Sequence, residues 1–450
     1  MVIMRELKLP TRKHTFAKQT IYSLLIFLSI FTNIWMSRSI GYFGRCLLNL
    51  LLPAFLIVFI FSVGTFSINP FIKRLLWLLV YLVAVNIVSI AMWRLSGNGL
   101  VVNGENIIQK AFKQGVYWLE ITVYCVLLYS CAKDMSIKEL LRPFVYTFIF
   151  LCAWLVIEVL TMPNAFSWYH VVYHTPYNRV RLTTTESSST VPLIVTFGLF
   201  TLYYVRYISR KRWRTLLTEG FLLAFLVTSS SKTFVVLAAA IFLYYFVFIL
   251  PRKRTRLVAV LLIISVPFFA VAAFLLYEYI SSRFANDPGT FMSRGTQIIV
   301  CFMHLLRHPF GVGSGVYLST YQSVLDSVLS WGMNTVFKSH INIYTIQFLD
   351  GTNVIAGFWL HGLFWGIPGC AALVQGILKY CVLPAELRMP GKLIFTVVSI
   401  TMLFLWMFSL NMSNYYMCWA ALVVANIIGS RQAIGQQSAQ LDGGRMSDAF

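Results

Sequence analysis

The residues of this sequence best suited to chemistry are cations and a few proton acceptors, gathered in two stretches. Between Tyr177 and Thr190 the chain reads Tyr-Asn-Arg-Val-Arg-Leu-Thr-Thr-Thr-Glu-Ser-Ser-Ser-Thr. Arg179 and Arg181 alternate along an extended run, and Glu186 stands at the mouth of the apolar segment that follows. A guanidinium donates paired hydrogen bonds from a planar fork and keeps its proton, so it suits phosphate. Ser187, Ser188 and Ser189 are good caps for the next helix, whose N-terminus itself favours an anion. The plainer reading of the two arginines is that they snorkel to lipid headgroups. The second stretch holds Arg283, then Ser293-Arg294-Gly295-Thr296-Gln297, an apolar helical run, and Arg307-His308-Pro309-Phe310-Gly311-Val312-Gly313-Ser314-Gly315. Lys338, Ser339, His340 and Asn342 come later. The Pro–Gly-rich segment ends the helix and frees backbone for a tight, substrate-facing turn. Because its glycines follow a helix and not a strand, they do not form a dinucleotide fingerprint.

What is missing narrows the chemistry further. There is no Asp-x-Asp pair, which argues against a metal-held nucleotide sugar, and neither Gly-x-Ser-x-Gly nor a phosphate-binding P-loop occurs. His304 and His308 are four apart but lack a nearby carboxylate base, so no metal site and no cofactor are expected. Cations with one or two proton acceptors beside lipid suit a phosphate-bearing lipid.

These residues must be positioned by membrane helices. Of 450 residues, 58% are hydrophobic and only 11% charged, with a mean hydropathy of +0.75. Soluble proteins carry roughly a quarter charged residues. A soluble enzyme, a secreted disulfide scaffold and a disordered chain are excluded. The net charge of +21 is spread in clusters between apolar runs, which fits anchoring in a membrane and not a nucleic-acid-binding face. The eight cysteines read as small packing residues with no disulfide framework.

The expected fold is all-α, a polytopic integral membrane protein of about twelve spans. They fall near 19–36, 46–67, 75–93, 115–132, 143–161, 190–207, 215–231, 232–250, 257–280, 355–378, 393–411 and 413–430. The first reads as an anchor and not as a cleaved signal peptide. Residues 1–430 form one multi-pass domain, and 431–450 a flexible cytoplasmic tail. Placing both termini in the cytoplasm puts 24 of the 36 lysines and arginines on the inner side, including RYISRKRWR and PRKRTR as topology anchors. The two chemical stretches then lie in outer loops, about 162–189 and 281–354. The latter spans 74 residues and is too aromatic for a disordered linker. Most histidines, His361 among them, fall on or near that outer face.

In order and spacing these segments resemble the O-antigen polymerase and O-antigen ligase superfamily of bacterial inner membranes. The resemblance covers about residues 175–370. Arg181 with Glu186-Ser187-Ser188 is similar to the polymerases' arginine–glutamate element. Thr228-Ser229-Ser230-Ser231-Lys232-Thr233 resembles a short family hairpin. Ser293-Arg294, His308-Pro309 and the Gly311, Gly313, Gly315 turn resemble another segment. His340-Ile341-Asn342, followed by Gly362 and Gly366, is similar to the family's ending, although many members have His and Asn adjacent.

The resemblance implies a metal-independent glycosyltransferase acting at the periplasmic face on undecaprenyl-pyrophosphate-linked oligosaccharide donors and acceptors. Arg181 and Arg294 would hold the donor pyrophosphate and stabilise its departure, and Glu186 or His340 would orient or deprotonate the acceptor hydroxyl. Arg179, Lys232, Arg283, His308 and Lys338 would contact pyrophosphate or sugar. Membrane lipid surrounds the chain, and a chain-length regulator protein is the partner a polymerase would take. The split His-x-Asn favours polymerase over ligase. From a different class, a lipid-linked oligosaccharide flippase without chemistry remains open; its mark would be polar groups at broken helices in mid-membrane.

Overall fold

The computed structural model describes residues 12–32, 46–102, 104–167, 169, 179–184, 190–229, 299–328, 357–382, 392–408 and 415–430. Within them the chain is mostly helical. The helices are α1 (Arg12–Leu28), α2 (Leu47–Ser62), α3 (Pro70–Leu95), α4 (Ile107–Ala132), α5 (Ile137–Thr161), α6 (Thr190–Tyr203) and α7 (Arg212–Ser229). After them come α8 (299–307), α9 (Gly313–Val328), α10 (Gly357–Ile377), α11 (Lys392–Phe408) and α12 (Tyr416–Ser430). The only strands among the described residues are β1 (Val101–Val102) and β2 (Glu105–Asn106), an antiparallel pair leading into α4.

Five of the described helical stretches are long and apolar enough to cross a membrane: Pro70–Leu95, Ile107–Ala132, Ile137–Thr161, Thr190–Ser209 and Leu360–Cys381. Phe16–Leu28, Leu47–Ser62 and Tyr416–Ser430 are shorter apolar helices. Ten of the twelve expected spans meet a helix, and those at 232–250 and 257–280 lie outside the described residues. Several helices begin five to eight residues before the apolar run because their polar first turns are capped. Asn69 Oδ1 accepts from Ile72 N at 2.7 Å, with Pro70 opening α3. Asn106 caps α4 from Ile108 N and Gln109 N. Ser136 and Glu139 close a reciprocal capping box on α5, and Gln19 of α1 donates to Glu139 at 2.8 Å.

The exposed faces are as apolar as the buried ones. On α3 the buried stripe is Phe71, Ile72, Leu75, Leu78 and Leu82, while Trp77, Val80, Val83, Ile87, Val88 and Met92 face outward. An outward face this greasy on a three- to four-residue period belongs in lipid, so the protein is a membrane-embedded helical bundle. All eight cysteines, Cys301 included, are buried and unbridged, as packing residues would be.

In lipid, helices gain little from burying apolar surface against one another, so close packing and interhelical hydrogen bonds must hold them. Tyr22 of α1 donates to Leu140 O of α5 at 2.8 Å, and Asn69 of α3 donates to Asn426 of α12, which in turn donates to Tyr380 O at 2.9 Å. Arg74 donates to Gln375 at 2.8 Å and lies over the Tyr380 ring, setting α3 antiparallel to α10. Asn86 in α3 caps a helix other than its own. Its Oδ1 accepts from Ser314 N at 2.7 Å and Gly315 N at 3.2 Å, the first-turn donors of α9. Substituting Asn86→Leu keeps the branched shape and orphans both donors. The expected loss is about 2 kcal/mol, read as a lower midpoint in denaturant unfolding of the purified protein.

Candidate functional site

Arg181 lies on a short segment, 179–184, that is packed into the bundle and not laid over it. Val180, Arg181, Leu182, Thr183 and Thr184 are all buried, whereas Arg179 is exposed. Arg181 is only 2% exposed, an unusual place for a guanidinium, whose removal from water costs several kcal/mol before compensation. The segment is tied down from four sides. Thr183 Oγ1 donates to Ile30 O beyond α1 at 2.7 Å. Val180 N donates to Thr228 O of α7 at 3.4 Å. Tyr169 Oη donates to Thr183 O at 2.9 Å. Glu158, three residues before the end of α5 and 1% exposed, takes Arg181 N on Oε1 at 2.7 Å and Leu182 N on Oε2 at 2.9 Å.

Local geometry explains why such clamping is needed. Leu182 sits at φ 50°, a left-handed conformation costly for a bulky L-residue. Two successive peptide N–H groups converge on one carboxylate there, the arrangement by which backbone holds anions. The Arg181 carbonyl is occupied too, accepting from Thr184 N at 3.0 Å and Thr184 Oγ1 at 2.7 Å. Tyr169 is held in turn by Trp154 of α5, whose ring stacks on Phe166 and meets Tyr169 edge-on at 5.6 Å. Burial pushes the Tyr169 phenol above its ordinary range, so it stays a neutral donor.

The turn after His308 is built into the bundle as well. Pro309 and Gly311 follow the end of α8 as expected, Gly313 and Gly315 fall in the first turn of α9, and the backbone between is committed to other helices. Tyr81 Oη of α3 donates to Phe310 O at 2.9 Å. Ile367 N donates to Pro309 O at 2.7 Å, and Val312 N donates to Leu363 O at 3.0 Å. The last two bonds cross a break in α10, where Gly366 takes φ 63° and Pro368 follows. A Cβ on Gly366 would collide with Pro309 O and Gly311 N, and one on Gly311 with Phe364 O. Two motifs that lie some fifty residues apart in sequence therefore meet face to face.

His308 is half-buried, its ring centroid 4.7 Å from that of His304. Thr320 Oγ1 donates to Tyr317 O, so at its 2.8 Å contact His304 Nε2 is the donor, tethering α8 to α9. His361 lies inside the bundle. It is 1% exposed, accepts from Trp406 Nε1 on Nδ1 at 2.8 Å, and packs among Trp118, Trp365 and Phe364. No group of three His, Cys, Asp or Glu able to hold a metal occurs among the described residues.

Of the candidate residues, Arg181, Arg179 and His308 are described. Glu186, Lys232, Arg283, Arg294, Lys338 and His340 lie outside the described residues. The structure ties the segment that carries Arg181 to α5, α7 and the chain just after α1, and places His308 before the turn that faces α3 and α10.

No known family matches the chain. No curated protein and no solved structure matches it either.

Sequence reasoning passed over Glu158 and Asn86. The signal was present in both: a polar residue inside an otherwise apolar span is expensive there and marks a specific partner. What the Arg181 segment offers chemically is a buried guanidinium on a pinned backbone turn, groups suited to an anion. The junction of the turn with α10 tolerates no side chain at Gly366. Gly366→Ala is therefore expected to cut the amount of folded protein in membranes several-fold, measured by size-exclusion of the detergent-extracted protein, while Gly115→Ala, with open space around it, leaves the profile unchanged.

Proposed function

We propose that the protein is a lipid-linked oligosaccharide glycosyltransferase of the O-antigen polymerase type, in the bacterial inner membrane. In this reading it has about twelve spans and both termini in the cytoplasm, so the end of the bundle bearing Arg181 is periplasmic. The observation that carries the proposal is Arg181 itself. It is a buried guanidinium on a clamped turn, in the position where the resemblance expects a pyrophosphate-holding residue. The meeting of the Pro309–Val312 turn with Gly366 adds support, since it joins two further motifs of the same resemblance.

The reaction proposed is transfer of an oligosaccharide from undecaprenyl pyrophosphate to a sugar hydroxyl of a second lipid-linked repeat. The hydroxyl oxygen bonds to the anomeric carbon, the carbon–oxygen bond to pyrophosphate breaks, and the hydroxyl proton passes to Glu186 or His340. Arg181 and Arg294 stabilise the charge that develops on the departing pyrophosphate, where a donor in a dry site is worth a few kcal/mol. Neither a metal nor a nucleotide sugar is required. Transfer of finished polymer to lipid A-core is the related alternative. A second reading, transport of lipid-linked oligosaccharide without chemistry, is favoured by the break of α10 at Gly366, since broken helices are a transporter feature.

The test is a lipopolysaccharide gel from a strain lacking the gene and carrying variants in its place. Arg181→Ala and Arg294→Ala should each leave core bearing a single repeat, while Arg212→Ala, at an exposed arginine, keeps the ladder. A normal ladder from Arg181→Ala would overturn the site. In the deletion strain, naked core with long chains stranded on the carrier lipid would mean ligase. Naked core with repeats trapped on the cytoplasmic side would mean flippase.

A further inference from the structure

Glu158 has no place in the chemistry above, yet it is the best-positioned carboxylate among the described residues. It is 1% exposed, on an apolar helix, with each oxygen taken by a different peptide N–H of the segment that carries Arg181. Burying a carboxylate is costly, and placing it near the end of a membrane helix does not remove that cost. Two hydrogen bonds from backbone N–H groups, one to each carboxylate oxygen, offset part of it. In return the carboxylate fixes a conformation that the backbone would not hold alone, since Leu182 sits at positive φ between the two bonds and the next peptide.

We propose that Glu158 is a positioning residue. Through the peptide N–H groups of Arg181 and Leu182 it locks the turn that sets the direction of the Arg181 side chain, and so orients the guanidinium toward a phosphate-bearing ligand. The inference rests on the reading of Arg181 as a pyrophosphate-holding residue. It goes further in assigning the preorganisation of that arginine to a carboxylate on another element that acts through backbone alone. A one-carbon-shorter carboxylate can still accept both donors at longer range. A carboxamide cannot, because it offers one oxygen and turns an N–H₂ toward the second donor.

The experiment is a double-mutant cycle on the full-length protein purified in lipid nanodiscs, with inorganic pyrophosphate as the probe and calorimetric affinity as the readout. Arg181→Lys and Glu158→Gln should each weaken binding about tenfold. Combined, they should be hardly worse than either alone, because a lysine lacks the fork whose direction Glu158 sets. Glu158→Asp should fall between wild type and Glu158→Gln, and it carries the cycle if the glutamine variant fails to fold. Losses that multiply to about a hundredfold in the double variant would show Glu158 acting independently of Arg181 and overturn the proposal. So would wild-type affinity in Glu158→Gln beside a weakened Arg181→Lys, an outcome that leaves the pyrophosphate reading of Arg181 standing. Unchanged affinity in Arg181→Lys would overturn both.

Discussion

A peptide group that leaves a helix inside an apolar bundle must find its hydrogen bond within the protein, because lipid offers none and each failure costs several kcal/mol. The irregular features of this chain are organised by that requirement. Where the backbone departs from helix at Arg181 and Leu182, a buried carboxylate collects the two N–H groups. Where α9 begins, Asn86 of a neighbouring helix caps it. Where α10 breaks, the Pro309–Val312 turn supplies a carbonyl to Ile367 and receives one from Leu363. Polar side chains inside the bundle are thus spent largely on backbone.

The same economy explains the electrostatics. The described part of the chain holds few acidic residues, and most of them are committed. Asp134 pairs with Lys18 at 3.3 Å, Glu139 closes a capping box, Glu120 accepts from Tyr416, and Glu158 clamps the Arg181 turn. In a chain with 36 lysines and arginines against 15 acidic residues, a carboxylate buried beside an arginine is a scarce resource placed with a purpose.

Much of the architecture was legible in the sequence. Apolar length located helices at ten of the expected stretches, and the Pro–Gly run after His308 was correctly read as a helix stop. Helix starts were missed by five to eight residues, because hydropathy finds the apolar body of a span whereas Asn69, Asn106 and Ser136 extend it through polar turns. Arg181 was picked out by its type and neighbourhood, but its burial was not, since nothing in a Thr-rich run announces that it will be drawn inward. Glu158 and His361 show the converse limit. Each is one polar residue in an apolar helix, and only tertiary contacts reveal that one clamps a turn while the other fills an aromatic core.

The break in α10 also bears on how the molecule is put together. A continuous hydrophobic helix completes its hydrogen bonding as soon as it enters the bilayer, so its insertion and its packing are separable events. α10 does not have that independence. With Gly366 turned to positive φ, the Ile367 N–H and the Leu363 carbonyl acquire partners only when the Pro309–Val312 turn has docked. The turn is in turn steadied by Tyr81 of α3. Three stretches of chain synthesised far apart must therefore come together before the last third of the bundle is complete, which makes this junction a late and cooperative step of assembly.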